Sequence, residues 1–230
     1  MNRAKIGVVT GLQAEARWLG KAGFMVRVGG GTPHGARQAA QALVAEGAQA
    51  LLSFGLAGGL KPGLKPGTVL VPPVIITARR TYRCDWTLTQ FLGGETSGAL
   101  LAGEKIVTNA HNKTSLFFRF QAVAVDLESG AVAEIATQNA MPFAALRAVT
   151  DPAERDLPPA SLVALKEDGS LALAPLLKSL LRQPGQIPGL MAVGRDAKAA
   201  RHALRARLKV ILKSNNPLRK FLEWLWEMLS

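Results

Sequence analysis

Short apolar runs, rich in β-branched residues and closed by glycine, recur along the first 150 residues of the chain, and helical periods take over afterwards. Lys5–Thr10 (KIGVVT) is continuous and meets Gly11, the pattern of a buried strand ending at a sheet edge. A helix is expected from about Gln13. Met25–Val28 gives a second strand, closed by Gly29, Gly30 and Gly31, and Gly35–Glu46 an alanine-rich helix that leads into a strand at Ala50–Phe54. Gly55–Gly67 (GLAGGLKPGLKPG), with five glycines and a duplicated Gly-Leu-Lys-Pro, reads as a loop whose backbone comes close to another group. Strands resume at Val69–Val71, Val74–Thr77, Lys105–Thr108, Ala122–Val125 and Phe143–Val149, with a helix at Ser129–Gln138. Beyond Asp156 the strand signal disappears, and residues 161–166, 170–181, 196–213 and 217–229 read as helices. This is α/β grammar in one domain spanning residues 1–230, with a sheet core over 1–157 and a helical extension over 158–230.

Composition narrows the class. With 48% hydrophobic and 19% charged residues the chain can bury a core, so a disordered or low-complexity description fails. The single cysteine, Cys84, excludes an internal disulfide and fits a reducing compartment; His34, His111 and His202 show no ligand spacing, so no metal is expected. The apolar run Ile6–Leu12 is too short for a signal peptide, and the longest stretch without charge, Gly47–Leu60, falls short of the ~20 apolar residues that cross a bilayer. A cytoplasmic location is the expectation.

The formal charge of +12 changes the picture less than its size suggests. Nine basic residues and one acid fall within Arg195–Lys220, leaving only +4 for the rest. A body so near neutrality, with a single tyrosine and no interleaving of aromatic and basic residues, argues against nucleic acid as a partner.

Candidate chemistry is acidic instead. Glu15, Glu128 and Asp151 each follow a strand expected to end at the crevice of the sheet. Three such carboxyl groups suit a glycosidic carbon, where an oxocarbenium-like transition state needs a base or anion, polar anchors for the hydroxyls and an acid for the leaving group.

IGVVTGLQAEA (6–16), GLAGGL (55–60), PGTVLVP (66–72), VDLESGAVAEIA (125–136) and RAVTDPA (147–153) occur in this order. Together they resemble the superfamily of purine nucleoside phosphorylases and methylthioadenosine/S-adenosylhomocysteine nucleosidases, and within it the hopanoid-associated phosphorylase branch, whose substrate is the lipid-linked purine nucleoside adenosylhopane. The resemblance implies a three-layer α/β/α sandwich with a central mixed sheet, an N-glycosidic cleavage that releases adenine, no cofactor, and a homodimer. It implies that Glu15 activates the nucleophile, that Glu128 holds the ribose 2′- and 3′-hydroxyls with Leu127 against the sugar, and that Asp151 protonates N7 of the departing purine. That role requires Asp151 to be protonated, or to share a proton, in a desolvated pocket. Gly55, Gly58 and Gly59 would let backbone approach the sugar or an attacking anion. Water and phosphate both stay open as the nucleophile; for phosphate, Arg37, Arg79, Arg80 and the Gly29–Gly31 turn are the available donors. The chain departs from the family pattern at Leu56, where a serine is frequent, at Asp126, where a glutamate is usual, and over Thr108–Asn112, which replaces a segment bearing a base-stacking phenylalanine.

The C-terminal stretch has its own pattern. Ala197, Ala200, Leu204, Leu208 and Ile211 repeat on one helical face and Lys198, Arg201, Arg205, Lys209 and Lys213 on another, with Asp196 as the expected cap. After Asn216-Pro217, a second amphipathic segment carries Phe221, Trp224, Leu225 and Trp226. An apolar face bordered by tryptophans and preceded by a basic helix suits attachment to an anionic membrane surface, at the inner face of the cytoplasmic membrane; packing on the protein's own sheet or on a partner subunit is the alternative.

Overall fold

A computed structural model describes residues 3–162, 178–179 and 181–214. β1 (Ile6–Thr10) is buried at every position, as its unbroken apolar run requires, and it pairs in parallel with β2 (Met25–Val28) on one side and β3 (Ala50–Gly59) on the other. β3 also pairs in parallel with β9 (Phe143–Asp151). Its last residues, Gly58 and Gly59, meet β8 (Ala122–Asp126) in antiparallel fashion. β4 (Val69–Leu70) lies antiparallel on β9, and β7 (Ala99–Ala102), β5 (Val74–Ile76) and β6 (Thr81–Arg83) extend the sheet beyond β8. The result is a mixed nine-stranded sheet in the order β2-β1-β3-β8-β7-β5-β6, with β9 and β4 branching from β3.

Helices cover both faces. The crossovers β1-α1-β2 and β2-α2-β3 run in opposite directions along the sheet, which puts α1 (Gln13–Lys21) and α2 (Pro33–Ala45) on opposite sides. α2 starts where the sequence allows it: Thr32 Oγ1 accepts the Gly35 N–H at 3.1 Å and Pro33 takes the first turn. Its small buried residues, Ala36, Ala39 and Ala40, let it lie beside α5 (Ser129–Gln138), which is buried from Ser129 through Ala133 and again at Ile135 and Ala136. On the other face α7 (Ile187–Ser214) packs on β9, and Ala200, Leu204, Leu208 and Ile211 join the main core, with the Arg205 guanidinium 5.5 Å over the Trp18 ring of α1. Among the described residues no helix is long and apolar enough to cross a membrane.

Several elements differ from the pattern-based expectation, each for a local reason. The glycine-rich stretch after Phe54 is not a loop until Leu60: β3 continues to Gly59 because β9 and β8 supply partners along it. Lys105–Thr108 is not a strand despite its β-branched residues; the strand is β7, just before it, and Ile106 and Val107 turn to a cleft beyond the sheet edge. α3 (Trp86–Phe91) and α4 (Ala110–Phe120) lie where no helical period was evident. Asp196 is no helix cap, since α7 begins nine residues earlier with Pro188 in its first turn, and its carboxylate pairs with Arg155. α6 is Pro159–Leu162. The proposed C-terminal helix, with Phe221, Trp224, Leu225 and Trp226, lies outside the described residues.

Candidate active site

Three strands deliver acids to one end of the sheet. Thr10 closes β1, and Glu15, one turn into α1, folds back so that its Oε2 accepts the Thr10 hydroxyl at 2.5 Å. Glu128 sits between the end of β8 and the start of α5, and Asp151 is the last residue of β9. All three are buried, Glu15 completely.

At the centre is Arg147, a charged residue within the apolar run Phe143–Val149 of β9, 1% exposed. A guanidinium there must find partners. It pairs with Asp126, and its Nη2 donates to Ser53 Oγ and to Ser129 Oγ at 3.1 Å. Nη1 reaches Glu128 Oε2 at 3.4 Å. Asp126 is held in turn by the Ser129 hydroxyl at 2.8 Å and the Ser129 N–H at 3.0 Å. Glycines make room for this cluster. A Cβ at Gly55 would stand 2.5 Å from Arg147 Nη1, and one at Gly29 2.9 Å from Glu128 Oε1.

Electrostatics separate the acids. Burial pushes the Glu15 carboxyl up to about 7, against the opposing Thr10 hydrogen bond, with Glu128 adding repulsion and Arg147 offsetting it. Glu128 is likewise raised by burial, with Arg147 the largest opposing influence. Glu15 Oε1 is buried and takes no hydrogen bond from the described residues, so it is the acceptor left for a water or a sugar hydroxyl. Asp151 is differently placed. Its Oδ2 accepts from Lys113 Nζ at 2.5 Å and its Oδ1 lies 2.6 Å from Thr150 Oγ1. α4 thus brings a buried ammonium directly behind Asp151, a partner the sequence did not reveal.

A cleft of about 350 Å³ opens over this end of the sheet, and Leu127, Glu128, Asp151 and Gly58 line it together with Leu12, Leu56, Ile106, Val107, Leu157 and Val193. Glu15 and Gly55 lie behind its wall, beside Arg147, and Gly59 packs under the Asp151 backbone, where a Cβ would come 2.9 Å from the carbonyl oxygen. Among the described residues no aromatic side chain lines the cleft; Ile106 and Val107, just before the divergent Thr108–Asn112 stretch, form that wall. The cationic candidates go elsewhere. Arg37 pairs with Glu134 at 2.6 Å and shares a separate cleft with Arg79 and Arg80. The Gly29–Gly31 turn holds an anion of the protein's own, the Gly31 N–H lying 3.3 Å from Glu128 Oε1. Asp156 caps α4 by accepting the Ala110 N–H at 2.7 Å. Among the described residues no cluster of three or more His, Cys, Asp or Glu is arranged to hold a metal ion.

Sequence reasoning missed Arg147 and Lys113. Arg147 had a signal, a charge inside a central strand; Lys113 had none, since it stands in the polar run Ala110–Ser115 that hides the helix carrying it.

A family model described as the phosphorylase superfamily matches residues 5–182. Among solved structures, a Helicobacter pylori 5′-methylthioadenosine/S-adenosylhomocysteine nucleosidase superposes with a TM-score of 0.68 at 16% identity, covering 93% of this chain and 100% of its own. Futalosine hydrolase from the same organism gives 0.68 at 15%, covering 91% and 97%. The Neisseria meningitidis 5′-methylthioadenosine/S-adenosylhomocysteine nucleosidase, solved with methylthio-immucillin-A, gives 0.67 at 17%, covering 91% and 98%. At these identities the likeness is one of fold. Comparison with curated proteins returns no match.

Proposed function

Because the chain belongs to the phosphorylase superfamily, we propose that it cleaves the N-glycosidic bond of a 5′-substituted adenosine with water as the nucleophile, releasing adenine. The observation that carries this reading is the Glu15 carboxyl, held near neutrality by burial with one oxygen uncommitted and a guanidinium close by. Such a group is half ionised at working pH and suited to take a proton from water. Glu128 accepts the ribose 2′- and 3′-hydroxyls, Leu127 lies against the sugar, Gly58 leaves space beside Asp151, and Asp151 serves N7 of the base. Gly55 and Gly59 act from behind, as the small residues that admit Arg147 and the β9 backbone.

Water is favoured over phosphate by charge. Asp126, Glu128 and Glu15 surround Arg147, and four of its neighbours already engage it through Asp126, Glu128, Ser53 and Ser129. A phosphate dianion there would meet more carboxylate than cation. No cofactor enters this scheme.

The 5′-substituent is apolar and bulky in this reading, adenosylhopane being the substrate that the branch resemblance names. The cleft wall of Leu12, Leu56, Ile106, Val107 and Val193 supports it, as do Ile106, Ile187 and Met191, which stay 45–64% exposed. Methylthioadenosine or S-adenosylhomocysteine is the second reading, favoured by the solved relatives of the same fold. A series of 5′-alkylthio-adenosines separates them: kcat/KM rising by at least tenfold from methyl to decyl supports the lipid-like substituent, and a fall supports the second reading. A homodimer is part of the proposal, with sedimentation as its test.

A further inference from the structure

Lys113 is fully buried, and its ammonium has three donors and three acceptors: Asp151 Oδ2 at 2.5 Å, the Pro152 carbonyl at 3.0 Å and the Arg155 carbonyl at 2.9 Å. Two carbonyls could be tied to α4 by a neutral donor, and burying an ammonium is costly unless a charge faces it. Here the charge faces the acid that lines the cleft. Other ionisable groups nearby are committed elsewhere. Glu154 accepts the Gly63 N–H, the Arg155 guanidinium pairs with Asp196, Asp156 caps α4, and Glu128 faces Arg147. On the far side of Asp151, the Thr150 hydroxyl has one proton and two acceptors in reach, Asp151 Oδ1 at 2.6 Å and the Ala57 carbonyl at 3.2 Å. When it turns to Ala57, its own oxygen can accept from a protonated Asp151.

We propose that Lys113 and Asp151 form a proton-sharing pair in which Lys113 is the reservoir for the proton that neutralises the departing base. The inference rests on the reading that a purine leaves beside Asp151. As the C1′–N9 bond breaks, its electron pair goes to the base, and the Asp151 carboxyl gives its proton to N7. Asp151 recovers a proton from Lys113 Nζ, which becomes a neutral amine. Solvent in the cleft returns that proton through Asp151, and Glu15 releases to solvent the proton it took from the attacking water, so the turnover closes with one water consumed. Lys113 acts through Asp151 and is a positioning and proton-supplying residue.

The test uses the full chain with Lys113→Arg and Lys113→Met, each assayed for adenine release from methylthioadenosine and for nitrophenolate release from a 4-nitrophenyl riboside, whose leaving group needs no proton. Arginine keeps the charge and the donors but does not give up its proton at any working pH. Lys113→Arg is expected to lower adenine release about 100-fold or more and to leave nitrophenolate release within about threefold, with Lys113→Met following the same split. In both variants the falling alkaline limb of kcat/KM for methylthioadenosine moves to lower pH. Equal loss on both substrates, or adenine release by Lys113→Arg at the wild-type rate, overturns the proposal and leaves Lys113 as a tie between α4 and the Pro152–Arg155 loop. Wild-type protein that releases nitrophenolate but no adenine overturns the purine reading itself.

Discussion

Glu15 serves two demands that pull against each other. A base must be charged to accept a proton, yet complete burial penalises that charge and lifts the carboxyl to about 7. The sign of the consequence follows from linkage. A folded-state value above the unfolded one means that the fold prefers the protonated form, so the contribution to stability is complete below about 4.5 and is lost as pH rises through about 7. Above that, the buried carboxylate costs roughly 3 kcal/mol, at about 1.4 kcal/mol per unit. Glu15→Gln removes the cost: urea melts should show the variant more stable than wild type by up to about 3 kcal/mol at pH 8 and nearly equal at pH 4. Its activity should fall by about a thousandfold, and wild-type kcat/KM should rise with pH through about 7. A variant less stable at pH 8 would mean that the Thr10 hydrogen bond matters more than burial. Asp151→Asn runs the other way, because it strands the Lys113 ammonium; a loss of about 3–5 kcal/mol in the same melts is expected.

At the scale of elements, β3 shows why part of the site was legible and part was not. The glycines of GLAGGL point to close approach from composition alone, but what approaches is the chain itself, Arg147 to Gly55 and Asp151 to Gly58 and Gly59, and the ladder partners that turn the stretch into a strand lie some 90 residues away. Non-local pairing leaves no local pattern. The same holds for Lys105–Thr108, where propensity favours a strand and position beyond the sheet edge denies it one. Helices with a clear period were legible nearly to the residue, as at Ser129–Gln138, while α4, mixed in polarity along its length, was not. The acids at the ends of β1, β8 and β9 were legible because strand ends are where parallel sheets expose ligating groups. Their buried cations were not, since pairing is a property of space. Gly55→Ala should cost at least about 2 kcal/mol through overpacking against Arg147, whereas Gly20→Ala, on open space in α1, should be neutral or stabilising by up to about 1 kcal/mol. Thermal melts of the two variants decide whether the glycine is needed for room.

Over the whole molecule the charge divides by face. The buried acids Glu15, Asp126, Glu128 and Asp151 gather at or behind the cleft, and the outer side of α7 presents Arg195, Lys198, Arg205, Lys209 and Lys213 to solvent while its inner side completes the core. The helix thus satisfies the sheet and still offers a basic surface, and we propose that this surface meets an anionic membrane. Full-length protein should float with anionic vesicles at low salt and be released at about 0.5 M salt, where the screening length falls to a few ångströms; failure to float at low salt would remove the membrane from the account. What distinguishes a nucleosidase from a phosphorylase is the atom that attacks C1′ as the glycosidic bond breaks. Its most direct measurement is adenine release from a 5′-alkylthio-adenosine in ¹⁸O-labelled water, with and without phosphate. Hydrolysis by this protein leaves one labelled oxygen at C1′ of the released sugar, at a rate indifferent to phosphate. A sugar 1-phosphate, or no adenine from any member of the series, would contradict it.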